Sequence, residues 1–287
     1  MTQKSGKLLL LYSALAIVIV SVVRFFQYVS IIDYSTGFFL REAQLAGNLL
    51  YILLAVFGAG FIALTIIGRK KNWTALTVSS DGMSEKATLF IGAAFIITAA
   101  AKIIHTMNLT DGGSFKLISS YVFSVCVGAI GLILLKNTVP PMVTGFISLF
   151  PAVYYFTLAI EVFSDDLIIK NRSDNLILML GFVCGTLFFT SAARFFARLE
   201  TKNSRTREII LGGFTFVLTA VHVLSKLIAY AFGGDAVFGM PSISIDAVLL
   251  MLITGTFLFV ICFTAQSKEI DYLVTEKKKE KAEKEEE

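Results

Sequence analysis

Apolar residues occupy the chain in long runs that are separated by short polar segments. A run of about 20 residues forms a helix about 30 Å long, which matches the hydrocarbon core of a bilayer. Eight such runs predict eight transmembrane helices, here called spans 1 to 8. Their predicted ranges are 8–32, 43–68, 87–107, 117–135, 142–164, 175–198, 208–232 and 246–266. The pattern therefore predicts an all-α polytopic membrane protein, a bundle of eight transmembrane helices.

Composition supports a membrane domain rather than a large soluble core. Of the 287 residues, 56% are hydrophobic and 16% are charged, whereas soluble domains average about 45–50% and about 25%. We expect a single membrane domain over 1–266. The apolar run that begins at Leu8 continues past residue 30 without a small-residue cleavage site, which indicates a retained first helix. Lysine and glutamate then alternate over 267–287, which predicts a charged cytoplasmic tail that is available to a partner.

Lysine and arginine concentrate at one set of span ends, which the positive-inside rule assigns to the cytoplasm. That set comprises Lys4, Lys7, Arg69, Lys70, Lys71, Lys86, Lys136, Arg198, Lys202, Arg205 and Arg207. The opposite ends hold Arg41, Lys116, Lys170 and Arg172, together with acidic residues such as Asp111 and Asp174. Both termini are therefore predicted to be cytoplasmic, which requires an even number of spans. In the absence of a eukaryotic sorting signal, we expect a bacterial cell membrane.

Short stretches in the two halves of the chain resemble each other. A run that begins at Asn48 aligns with one at Asn175, and Thr98 then falls opposite Thr219. These matches predict tandem repeats over 1–136 and 137–266, each of four spans. Because an even unit leaves the second copy in the same orientation, the repeats would be parallel, related by an axis along the membrane normal.

Polar residues inside the spans fall mainly on the odd-numbered spans, where their spacing places them on one helical face. The candidate ligand-binding residues are Arg24, Gln27 and Tyr28 in span 1, Thr98, Lys102 and His105 in span 3, Tyr154 and Glu161 in span 5, and Thr219, His222 and Lys226 in span 7. The polar residues of the even-numbered spans are mostly Ser and Thr, and these spans also carry small residues such as Gly128 and Gly131, which is typical of close helix packing. We therefore expect the odd spans to line a cavity and the even spans to serve as scaffold.

An ionisable side chain within a bilayer is costly and is a functional-site hypothesis by default. The cations Arg24, Lys102 and Lys226, with two histidines, outnumber the deep acid Glu161 and the interfacial acid Asp33. This surplus predicts a hydrated, outward-facing cavity for an anion such as a carboxylate, a phosphate or a lipid headgroup. Two alternatives stay open: pairing with acids such as Glu161 that only fixes helix register, and long side chains that reach back to the interface.

Motifs for soluble chemistry do not occur in the sequence, which contains no HExxH, GxSxG or Walker motif. The cysteines Cys126, Cys184 and Cys262 lie inside spans without CxxC spacing, and we interpret them as packing residues. The sequence therefore predicts no catalytic residues, metal, cofactor or nucleic-acid partner. Pro151 in span 5 predicts a kink.

Three functions are compatible with these residues. The first is a permease that takes up an anionic solute from outside by rocking one half against the other. The second is a sensor or structural partner subunit that transports nothing, although no signalling domain is attached. The third is an intramembrane enzyme acting on lipid headgroups, with His222 or His105 as base and Glu161 as its partner.

Overall fold

A computed structural model describes residues 3–33, 38–39, 44–70, 85–108, 114–136, 141–169, 173–197, 199, 204–233 and 242–264. The helices are α1 (Gln3–Ser30), α2 (Gln44–Lys70), α3 (Glu85–Met107), α4 (Ser114–Lys136), α5 (Pro141–Ile147), α6 (Leu149–Ile169), α7 (Ser173–Phe196), α8 (Ser204–Phe232) and α9 (Ile245–Thr264). Strands β1 (Ile32–Asp33) and β2 (Phe38–Phe39) form a short antiparallel pair after α1. The predicted tail, 267–287, lies outside the described residues.

The helices follow the predicted spans closely, with one interruption. Span 5 is divided into α5 and α6 at Ser148, three residues before Pro151. Proline has no N–H to donate to the carbonyl of Ile147, and its ring clashes with that carbonyl. The backbone N–H of Ser148 still closes the last turn of α5 on the Thr144 carbonyl at 3.0 Å. The kink expected at Pro151 is therefore confirmed as a break in the helix.

The distribution of side chains identifies the environment of the bundle. When α5 and α6 are counted as one, seven described helices are long and apolar enough to cross a membrane. Helix α9 is apolar over the shorter stretch Ile245–Val260. Large apolar side chains such as Val56 and Phe163 face outward, while Arg24 and Lys226 are buried. Soluble proteins rarely bury a charged side chain fully. The chain is therefore a multi-pass membrane protein, and the number of spans and their orientation stay predictions.

Helix α8 lies at the centre of the bundle. Within its most apolar 18-residue stretch 67% of the residues are buried, against 22% in that of α2, which lies at the edge. α8 packs against α1, α2, α7 and α9, and α9 in turn packs against α1 and α3. On the other side α7 contacts α6, and α4 bridges α3 and α6. The predicted division into two repeats is not decided by these contacts.

Small residues permit the closest helix contacts. A Cβ atom placed on Gly131 of α4 would lie 2.8 Å from the backbone oxygen of Gly92 in α3, and one on Gly92 would lie 3.0 Å from the oxygen of Gly131. The two backbones therefore approach each other directly, as small residues in membrane helices allow. The packing role predicted for the glycines of the even-numbered spans is confirmed at this crossing.

Candidate functional site

A carboxylate at the start of α7 gathers basic side chains from α1 and α8. The Lys226 Nζ lies 2.7 Å from Asp174 Oδ2, and the Arg24 Nη2 lies 3.6 Å from Asp174 Oδ1. The His222 Nδ1 also lies 3.6 Å from Oδ1, and the Tyr28 hydroxyl donates a hydrogen bond to the same oxygen. These five residues are called the Asp174 cluster.

Helical spacing accounts for this convergence. Arg24 and Tyr28 are four residues apart on α1, as are His222 and Lys226 on α8, so each pair lies on one helix face. Asp174 lies in the first turn of α7. Unpaired backbone N–H groups and the helix dipole at that end favour a negative charge. The contacts place the C-terminal parts of α1 and α8 beside the N-terminus of α7.

Further hydrogen bonds fix the Asp174 cluster to neighbouring backbone. Arg24 Nη1 donates to Gln27 Oε1 at 3.0 Å, and Gln27 Nε2 donates to the Ala46 carbonyl at the start of α2 at 2.8 Å. The Arg24 guanidinium also lies 4.6 Å from the centroid of the Tyr28 ring, which is cation–π distance. Lys226 Nζ donates a second bond to the Ser242 carbonyl at 3.2 Å.

The charges of the Asp174 cluster do not cancel. Two cations, Arg24 and Lys226, face one carboxylate, and all three side chains are almost completely buried. His222 is only 2% exposed, and neither of its ring nitrogens has a hydrogen-bond partner among the described residues. Among the described residues the cluster therefore combines one more cation than carboxylate with an imidazole that has no hydrogen-bond partner, in a place that water reaches poorly.

A second carboxylate pairs with a single lysine. Lys102 Nζ of α3 lies 2.6 Å from Asp246 Oδ1, and the Tyr154 hydroxyl of α6 donates to the same oxygen at 2.9 Å. The Lys102 ammonium lies 5.4 Å from the Tyr154 ring centroid, and that ring stacks on Phe123 at 4.3 Å. Lys102, Tyr154 and Asp246 are called the Asp246 cluster. Its one cation and one carboxylate balance.

Five residues of chain connect the two clusters. Lys226 binds the carbonyl of Ser242, and Asp246 follows four residues later in the first turn of α9. Lysines from α8 and α3 therefore hold the two ends of the segment that leads into α9.

The remaining candidate residues are more dispersed. Thr98 is buried and its hydroxyl has no hydrogen-bond partner among the described residues, whereas Thr219 donates to the Thr215 carbonyl at 2.7 Å. His105 is half-buried in the last turn of α3. Glu161 does not neutralise Arg24 or a buried lysine in the structure. It is exposed and pairs with Lys116 at 2.7 Å.

The sequence pattern missed both partner carboxylates. By its position in the sequence Asp174 belongs with the acidic residues at the outer span ends, and Asp246 lies outside the candidate residues. Because α7 and α9 are the helices of spans 6 and 8, the expected division into odd polar spans and even scaffold spans is wrong on this point. One signal was present in the sequence. Asp174 and Asp246 lie at the N-terminal ends of spans 6 and 8, whereas Lys102 and Lys226 lie toward the C-terminal ends of spans 3 and 7. In alternating spans these ends face the same side of the membrane.

Comparison of the chain with protein-family models, curated proteins and solved structures finds no match. The assignment of chemistry therefore rests on the residues alone. Among the described residues no group of three or more histidine, cysteine or acidic side chains is arranged to hold a metal ion. The Asp174 cluster instead contains two cations, a carboxylate that pairs with them, and a neighbouring imidazole.

Proposed function

We propose that the protein is a permease-like membrane protein that binds an anionic solute or headgroup at the Asp174 cluster. The observation that carries this proposal is the imbalance of charge around one buried carboxylate. Among the described residues two buried cations, Arg24 and Lys226, converge on the single carboxylate of Asp174, and the nitrogens of His222 beside them have no hydrogen-bond partner there. An anion is the ligand that such a set recognises, because charge-assisted hydrogen bonds are the stronger ones.

In this proposal Asp174 acts as an internal counter-ion that a ligand displaces or joins. A guanidinium such as that of Arg24 forms charge-assisted hydrogen bonds with a carboxylate or phosphate, and Lys226 adds a point charge. Arg24 lies six residues before the end of α1, or roughly 9 Å of helix. We place the opening on the exterior side of a cell membrane, and release on the other side follows a rocking of one half of the bundle against the other.

Thermal unfolding in detergent tests the binding step. Inorganic phosphate, acetate, succinate and glycerol phosphate are added separately to the purified protein, since a ligand that binds only the folded state stabilises it by about 2.7 kcal/mol at 100 times its Kd. We expect at least one of these anions to raise the unfolding temperature of the wild type. Lys226→Met should abolish that rise, because it removes the surplus cation.

The chain supplies a matched control in Lys102, a buried lysine in a balanced pair. Lys102→Met should lower the baseline unfolding temperature yet keep the anion-dependent rise. Asp174→Asn should enlarge that rise, because it removes the competing carboxylate. The proposal fails if no anion stabilises the wild type, or if Lys226→Met and Lys102→Met respond to anions alike.

A second candidate function is a non-transporting membrane subunit or sensor in which the charges fix helix packing. The direct contacts of Lys102 with Asp246 and of Lys226 with Asp174 favour it. This candidate predicts that Asp174→Asn only destabilises, with no gain in anion response. It also predicts that removal of 267–287 breaks a partner interaction while the stability of the bundle is unchanged.

A further inference from the structure

A groove runs along the surface of the bundle between α4 and α6, apart from the Asp174 cluster. It encloses about 550 Å³. Its walls are mixed, with the apolar side chains of Phe115 and Ile160, the hydroxyls of Ser120 and Tyr154, and the charged pair Lys116 and Glu161. Phe115 and Ile160 are exposed on the outer surface, so the groove opens sideways, toward the space that lipid fills.

The charged pair at this groove differs from the two buried clusters. Lys116 Nζ and Glu161 Oε1 are 2.7 Å apart, but their side chains are 53% and 45% exposed. Both groups therefore keep free donor and acceptor capacity on the groove side. An exposed ion pair contributes little to stability, so opening it to admit a ligand costs little.

The groove extends from this pair into the apolar part of the bundle. Tyr154 lies seven residues before Glu161 on α6, which corresponds to about 10 Å along the helix axis. Lys116 lies in the first turn of α4, at the end of that helix. The charges are thus at one end of the groove, and Leu158 and the Tyr154 ring line it farther along α6.

We propose that this groove binds a zwitterionic phospholipid of the surrounding bilayer. The lipid phosphate contacts the Lys116 ammonium, the headgroup ammonium contacts the Glu161 carboxylate, and an acyl chain lies along Leu158 and the Tyr154 ring. Because the pair is neutral as a whole, it complements a headgroup that carries both charges. An anionic headgroup lacks a cation for Glu161 and is repelled by it. This inference does not depend on anion binding at the Asp174 cluster.

Lipid binding is measured with phosphatidylethanolamine and phosphatidylglycerol that carry identical acyl chains. Each lipid is added to the purified full-length protein, and bound lipid is counted by native mass spectrometry while the unfolding temperature is recorded. We expect phosphatidylethanolamine to bind and stabilise the wild type more strongly. Glu161→Gln leaves Lys116 without its partner and should shift the ratio toward phosphatidylglycerol by about fivefold.

Two further variants separate this site from general lipid contact. Lys116→Gln should weaken the binding of both lipids, since it removes the contact to the phosphate that they share. Arg207→Gln, an exposed arginine on α8 outside the groove, should leave the ratio unchanged. Equal binding of the two lipids by the wild type, or a ratio that Glu161→Gln does not move, would overturn the proposal.

Discussion

At Asp174 one carboxylate faces two cations and a histidine, whereas at Asp246 one carboxylate faces a single lysine. This difference decides which of the two buried lysines, Lys226 or Lys102, is suited to bind a ligand. A balanced buried pair gains nothing from an added anion and serves to fix the relative position of two helices. The Asp174 cluster has one more cation than carboxylate among the described residues, so an added anion can pair with a cation there. The structure thus distinguishes Lys226 from Lys102, which the sequence pattern treated as equivalent.

The balanced pair makes a prediction that a double-mutant cycle can check. Lys102→Met should cost up to about 3 kcal/mol, because it leaves the Asp246 carboxylate, whose side chain is only 14% exposed, without its cation. The double variant Lys102→Met with Asp246→Asn removes both charges and keeps an acceptor for the Tyr154 hydroxyl. It should therefore unfold at a higher temperature than Lys102→Met alone in a thermal scan.

The control for this cycle joins residues of different clusters. Lys102→Met combined with Asp174→Asn should lose about the sum of the two single losses, since these side chains are not partners. If the double variant of the true pair were also additive, the contact between Lys102 and Asp246 would contribute nothing to stability.

Sequence reasoning at this scale found the cations and missed their partners, for a physical reason. Arg24, Lys102 and Lys226 interrupt apolar runs, where any charge is conspicuous. Asp174 and Asp246 lie in the first turns of their helices, where an acid is ordinary because it complements the helix dipole. The local pattern of such an aspartate is the same whether it faces solvent or a buried lysine.

At the scale of helices, periodicity predicts which face of a helix is buried but not which helix covers it. The expected face of span 7 is buried along α8 at Thr215, Thr219, His222 and Lys226. The neighbour that completes its chemistry is α7, through Asp174. The break at Ser148 was predictable because the cause, Pro151, acts on its own chain within four residues.

The contact between α3 and α4 leads to a prediction about how closely these two helices pack. Gly131→Ala places a methyl group 2.8 Å from the Gly92 carbonyl oxygen and 2.8 Å from Ile96 Cγ1, so the helices must separate. We expect a lower unfolding temperature in detergent. Gly128→Ala, one turn earlier, meets its nearest atom, Ala99 Cβ, at 3.4 Å.

Gly128→Ala is therefore the matched control for this crossing. It should be neutral or stabilising, because alanine has the higher helix propensity, by about 1 kcal/mol. If both substitutions changed stability equally, the effect would come from propensity, and close approach of the two backbones at Gly131 would not limit the packing.

At the scale of the molecule, the Asp174 and Asp246 clusters lie at one end of the bundle. The C-terminal parts of α1, α3 and α8 carry Arg24, Lys102 and Lys226, and the N-terminal turns of α7 and α9 carry Asp174 and Asp246. Direct contact between these groups requires that the first set of helices run antiparallel to the second. Alternating membrane spans produce that arrangement, so the ion pairs agree with the order of spans that hydropathy predicts.

Which side of the membrane this end faces is a prediction of the positive-inside rule, and reporter fusions can test it. A green fluorescent protein fused after residue 287, or inserted within 71–84, should fluoresce because both sites are predicted to be cytoplasmic. Alkaline phosphatase inserted within 109–113 or 170–172 should be active because both segments are predicted to be outside.

Those two segments adjoin the ends of α3 and α7 that carry Lys102 and Asp174. Activity there would place the Asp174 cluster near the exterior, as uptake of an external anion needs. The reverse result at all four sites would open the cluster toward the cytoplasm and exclude uptake from outside. A C-terminal fusion on the exterior with the other three as predicted would mean that α9 does not cross the membrane, and Asp246 would then reach Lys102 from a helix that enters and returns.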